Sequence, residues 1–165
     1  MHSKEFIEYM NFETIKSKIY YDEGQMKEII VYDPSEASWQ KWIDYINNSY
    51  KVQWYYSDDI IKNKIEFDRI KYFWNNPQEN YQTFGFLYID NIQIKIFFWE
   101  PEFLVHCFWP SDINTEKDHI KIIEYMKKIS KVMENDVFLI DETQSYNKNY
   151  HFLLKITNDR IEYNV

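Results

Sequence analysis

The sequence predicts an α+β domain: one mainly antiparallel sheet with two or three helices packed on one face. Two patterns predict it. Ile92, Ile94, Ile96 and Phe98 alternate with Gln93 and Lys95, the period of a half-buried antiparallel strand. Trp39, Trp42, Ile43 and Ile46, and later Ile122, Met126, Ile129 and Met133, recur at helical spacing, so each set lines one stripe of a helix. At 165 residues, 45% of them hydrophobic, the chain has the length and composition of a single domain around one core.

Taken in order, residues 4–10 suit a short helix. Residues 14–21 and 26–32 read as two strands joined across Asp22-Glu23-Gly24-Gln25, where glycine supplies positive φ. Asp33-Pro34-Ser35-Glu36 opens a helix: Asp or Ser caps it, proline stands at a tolerated early position, and glutamate suits the first turn. Asn47-Asn48-Ser49 ends that helix, and residues 50–56 form a strand closed by Ser57-Asp58-Asp59. Residues 60–74 suit a second helix, with Ile61, Ile65, Ile70 and Phe73 or Trp74 partly in register, stopped by Asn75-Asn76-Pro77. Residues 82–89, 92–99 and 102–109 form a meander turning at Asp90-Asn91 and Glu100-Pro101. Residues 115–133 form a helix whose Lys127, Lys128 and Lys131 complement its negative C-terminal end. Strands at 136–141 and 150–156 flank a polar loop over 142–149.

Charge and composition narrow the function. The net charge is −8, and of 19 basic residues only Arg69 and Arg160 are arginines. Binding to nucleic acid needs concentrated positive charge, so this balance excludes it, disfavours an anionic membrane, and would draw in a basic partner. The only glycines are Gly24 and Gly85, which excludes glycine-rich phosphate loops. Cys107 is the single cysteine and the longest apolar runs are strand-length, so the expected place is the cytosol, with no secretory leader and no membrane span.

No constellation identifies a reaction. The acidic pairs Asp22/Glu23, Asp58/Asp59, Glu100/Glu102 and Asp141/Glu142 all fall in expected turns, where water keeps both members charged, whereas acid–base work needs one raised pKa. His2, His106, His119 and His151 lack metal-ligand spacing. His106 and Cys107 are neighbours on a strand and point to opposite faces, while Cys107 shares its face with Val105 and Trp109 as a core thiol. His151 would approach His106 only if their strands pair. Trp39 and Trp42 belong to a helix core; Trp99 and Trp109 stand at strand ends, where packing or ligand stacking is open to them. No catalytic residue, metal or cofactor is expected.

Ile19-Tyr20-Tyr21-Asp22-Glu23-Gly24-Gln25-Met26-Lys27-Glu28-Ile29-Ile30-Val31, followed by Trp39-Gln40-Lys41-Trp42, resembles the opening of small bacterial immunity proteins encoded beside polymorphic toxins. In outline the similarity runs over residues 19–156, leaving 1–16 as an N-terminal extension of one domain spanning 1–165. Tyr21, Asp22, Gly24 and Trp39 match the pattern in structural roles. The resemblance implies a cytosolic α+β protein that binds and neutralises a cognate toxin, and it supplies no catalytic residue. The expected contacts to a basic toxin are the turn carboxylates Asp58, Asp59, Glu100 and Glu102. The alternative is a small-molecule or carbohydrate-binding module using exposed tryptophan and acidic loops.

Overall fold

A computed structural model describes residues 11–57, 60–79, 83–142 and 151–165. The expected class holds: among the described residues nine strands form one antiparallel sheet and four α-helices pack against one of its faces. The helices are α1 (Phe12–Lys18), α2 (Glu36–Ser49), α3 (Phe67–Asn75) and α4 (Glu116–Met133). The strands are β1 (Lys27–Tyr32), β2 (Gln53–Ser57), β3 (Ile60–Lys62), β4 (Phe84–Ile89), β5 (Ile92–Glu100), β6 (Phe103–Phe108), β7 (Val137–Asp141), β8 (Leu154–Thr157) and β9 (Arg160–Tyr163). Their order across the sheet is β3-β2-β4-β5-β6-β1-β7-β8-β9.

Two expectations are corrected. Residues 14–21 are not a strand: α1 covers most of them, started by the Asn11 side chain accepting from the Thr14 amide at 2.9 Å. Ile15 and Ile19, four apart, are buried by it. No hairpin therefore crosses Asp22 to Gln25. β1 instead lies between β6 and β7, and Gly24 takes φ +76° in the connection. Residues 60–74 are not one helix either. Ile60–Lys62 pairs with β2 as an edge strand, and α3 begins only at Phe67. The expected helix over 4–10 lies outside the described residues. A ninth strand, unexpected from the sequence, pairs with β8 across a turn where Asn158 takes φ 55°.

The long helices follow their sequence signals. Ser35 caps α2 by accepting from the Ser38 amide, and Trp39, Trp42, Ile43 and Ile46 form its buried face. Thr115 and Asp118 close a reciprocal capping box on α4, which buries Ile122, Met126, Ile129 and Met133. Beneath them lie Ile29 and Val31 of β1, Ile92, Ile94 and Ile96 of β5, and Leu104 and Phe108 of β6, all buried.

Among the described residues, the opposite face of the sheet carries no helix residue in its apolar cluster. Ile30, Val105, Cys107 and Ile140 are buried there beneath a ring of half-buried side chains: Met26, Tyr32, Phe97, Phe103, Phe138 and Phe152. Strand registers place Tyr55, Phe84, Phe97, Val105, Ile30 and Phe138 in one continuous cross-strand row running from β2 to β7. Cross-strand aromatic and β-branched pairs of this kind stabilise a sheet.

Candidate partner-binding surface

Where β5 meets β6, the register slips between Phe97 and Glu100. Phe97 stands opposite Val105 and Glu100 opposite Phe103, so an extra residue is accommodated on β5. The bulge breaks the strict alternation of the strand. Trp99 stacks on Phe97 with centroids 4.4 Å apart and rings 27° from parallel, while 48% of its surface stays exposed. Glu100 comes into register with Phe103, which makes an edge contact with Tyr32. Tyr32 in turn contacts Phe138. A large exposed ring and an exposed carboxylate thus share the rim of the aromatic face, with Glu102 two residues on in the same turn.

The turn is braced from behind. The Trp39 indole N–H on α2 donates to the Pro101 carbonyl at 2.9 Å, and the Trp74 indole N–H on α3 donates to the Phe98 carbonyl at 3.0 Å. The Asp33 amide, between β1 and α2, donates to the Glu102 carbonyl at 2.7 Å. Three separate segments therefore hold the backbone of an exposed turn, which removes much of the ordering cost a mobile loop would bring to binding. Among the described residues neither Glu100 nor Glu102 makes an ion pair.

The other expected site residues fall elsewhere. Asp58 and Asp59 lie outside the described residues. Asp22 is exposed and accepts the Gly24 amide at 3.0 Å, a turn contact. Of the pair Asp141/Glu142, Glu142 is exposed as expected, whereas Asp141 is partly buried. Asp141 accepts the Tyr21 hydroxyl at 2.6 Å and ion-pairs with Lys27, whose side chain is only 3% exposed and whose ammonium lies 3.5 Å from the Tyr21 ring centroid. Glu142 accepts the Met26 amide at 2.7 Å. Tyr21 is therefore a structural residue, and its burial with the Asp141 contact raises its pKa. A lysine beginning a strand reads as exposed from sequence; its burial appears only once β1 pairs with β7.

His106 and Cys107 point to opposite faces of the sheet, as their adjacency on a strand predicts. Cys107 is buried on the aromatic face, and burial, with the Glu28 carboxylate 3.9 Å away, pushes its pKa up and keeps the thiol protonated. His106 lies on the helix face, between Trp42 and Tyr125 with centroids 5.1 and 5.6 Å away, and among the described residues neither ring nitrogen has a hydrogen-bond partner. Burial lowers its pKa to about 3. His151 is exposed, and β1 and β7 stand between its segment and β6, so the two histidines are apart.

One polar chain leaves no signal in the sequence. His119 on α4 bridges the Tyr20 hydroxyl at 2.6 Å and the Tyr163 hydroxyl at 2.9 Å, tying the segment after α1 and strand β9 to one helix. Burial lowers its pKa to about 4. Among the described residues no three His, Cys, Asp or Glu side chains gather closely enough to hold a metal ion, and no helix is long and apolar enough to cross a membrane. No protein-family model matches the chain, and neither the curated proteins nor the solved structures yield a match.

Proposed function

We propose that this chain is an immunity-type binding protein that neutralises a cognate bacterial toxin by stoichiometric protein–protein inhibition. One observation carries the proposal: the bulge in β5 sets an exposed, stacked Trp99 and the Glu100 carboxylate on one rim, on a turn braced by Trp39, Trp74 and Asp33. A large aromatic held in one orientation is a frequent anchor of protein interfaces. Carboxylates around it favour a positively charged partner, and the net charge of −8 extends that attraction over distance. The resemblance to immunity proteins at the Tyr-Asp-Glu-Gly turn and the Trp-initiated helix agrees with a cytoplasmic inhibitor that needs no active site of its own.

The test is co-expression with the product of the gene adjacent to this chain's own, as the candidate toxin. Neutralisation predicts that growth is rescued and that the two chains co-purify at one-to-one stoichiometry. Toxicity undiminished by the chain, with no complex formed, would refute it.

A further inference from the structure

Beyond partner binding, we infer that the outer face of α4 holds a site for a small anionic amphiphile. A groove of about 320 Å³ runs along this helix between the end of α2 and the β4–β5 hairpin. Its walls are apolar: Tyr50 from the α2 C-cap, Ile89 from the hairpin, and Ile120 and Tyr125 from α4. Ile120 is 51% exposed, an isoleucine left facing water on an otherwise well-sorted amphipathic helix. Tyr125 is buried, and among the described residues its hydroxyl has no hydrogen-bond partner.

The rim is cationic. Lys121 is already paired with Asp90 and Asp118, and Glu124 with Lys127. Lys117 and Lys128 border the groove without an ion pair among the described residues. They are eleven positions apart on α4, about 16 Å along the helix axis. On a chain of net charge −8, a groove rimmed by Lys117 and Lys128 over an apolar floor selects an anion with a hydrocarbon body. The body lies over Ile120, Ile89 and Tyr50, and the anionic head reaches a rim lysine. This surface lies on the helix side of the sheet, separate from the Trp99 turn.

Titrating the full chain with decanoate, followed by calorimetry, tests the site. One-to-one saturable binding is expected, with half-saturation below about 1 mM, as a ligand of this size allows. Decyltrimethylammonium, of equal chain length and opposite charge, should bind at least about tenfold more weakly. Ile120→Glu should abolish decanoate binding, and the pair Lys117→Glu with Lys128→Glu should weaken it about tenfold. All three positions are exposed, so unfolding midpoints should not move. Failure to saturate, equal affinity for the two amphiphiles, or indifference to Ile120→Glu would overturn the proposal. If a variant unfolds, the comparison of the two amphiphiles on the unmodified chain still decides it.

Discussion

On its helix-covered face the sheet is sealed by side chains from four helices, and tryptophans Trp39, Trp42 and Trp54 are buried almost completely. On the other face a smaller cluster is sheltered by half-buried side chains, and Trp99, stacked on Phe97, stands 48% exposed near the end of β5. Both faces draw on the same aromatic-rich composition, so residue type does not separate them. Among the described residues the difference lies in coverage. One face uses its rings for cohesion, while the other leaves rings where a partner can reach them. Substitutions on the two faces should therefore divide into those that unfold the protein and those that leave it folded but alter binding.

The largest loss is expected deep in the helix face. Trp42→Ala should cost about 3–5 kcal/mol in chemical denaturation, because a fully buried indole leaves a cavity that α2 and the sheet close only partly. Asp141→Ala should cost a similar amount, about 3–5 kcal/mol, since it strands the buried Lys27 ammonium. A loss below about 1 kcal/mol at Trp42 would mean that face is not sealed.

Acid should loosen the same layer next. His106 and His119 have folded pKa values lowered from 6.5 to about 3 and about 4, so in the window between these values and 6.5 the unfolded chain binds more protons. Their contribution is intact above about pH 6.5 and is lost as pH falls, at up to about 1.4 kcal/mol per pH unit for each histidine. Denaturation midpoints at pH 7, 6 and 5 should show this fall. His106→Phe should roughly halve the slope, and by removing two unpartnered buried nitrogens it should not destabilise the protein at pH 7. An unchanged slope would place the acid sensitivity elsewhere.

Smaller effects belong to the bracing indoles. Trp74→Phe keeps an aromatic ring and loses the hydrogen bond to the Phe98 carbonyl. About 1–2 kcal/mol should be lost, measurable as a shifted unfolding midpoint. Smaller still is Trp99→Ala, at about 0.5–1 kcal/mol, since the ring stacks on Phe97 but keeps 48% of its surface in water. If Trp99→Ala proved as costly as Trp42→Ala, the contrast between the faces would fail.

Much of this contrast is legible in the residues alone. The 3.6-residue recurrence of Trp39, Trp42, Ile43 and Ile46 names a buried helix face directly, and the alternation from Ile92 to Phe98 names a half-buried strand. What is not legible is decided by contacts distant in sequence. The segment after Asn11 is rich in β-branched and aromatic residues, yet a side-chain cap and the burial of Ile15 against the sheet make it helical. β1 sits mid-sheet only because β6 and β7 close on it, and that pairing buries Lys27. The bulge at Trp99 leaves no mark in an apolar run. Glu100 and Glu102 are readable as an exposed turn, but not their alignment with an aromatic rim or the indoles that hold them.

Association kinetics with the candidate toxin that the proposed function requires, at low and high salt, test the central claim most directly. Rim charges govern association and its salt dependence, whereas buried anchors govern dissociation. Reversing Glu100 and Glu102 to lysine should slow association and flatten its salt dependence with the fold intact. Trp99→Ala should leave association nearly unchanged and speed dissociation by about tenfold or more, as loss of an interface anchor does. Unchanged kinetics in both variants would remove the β5–β6 turn from the interface, and failure of the unmodified chain to bind the toxin at all would contradict the inhibitory role itself.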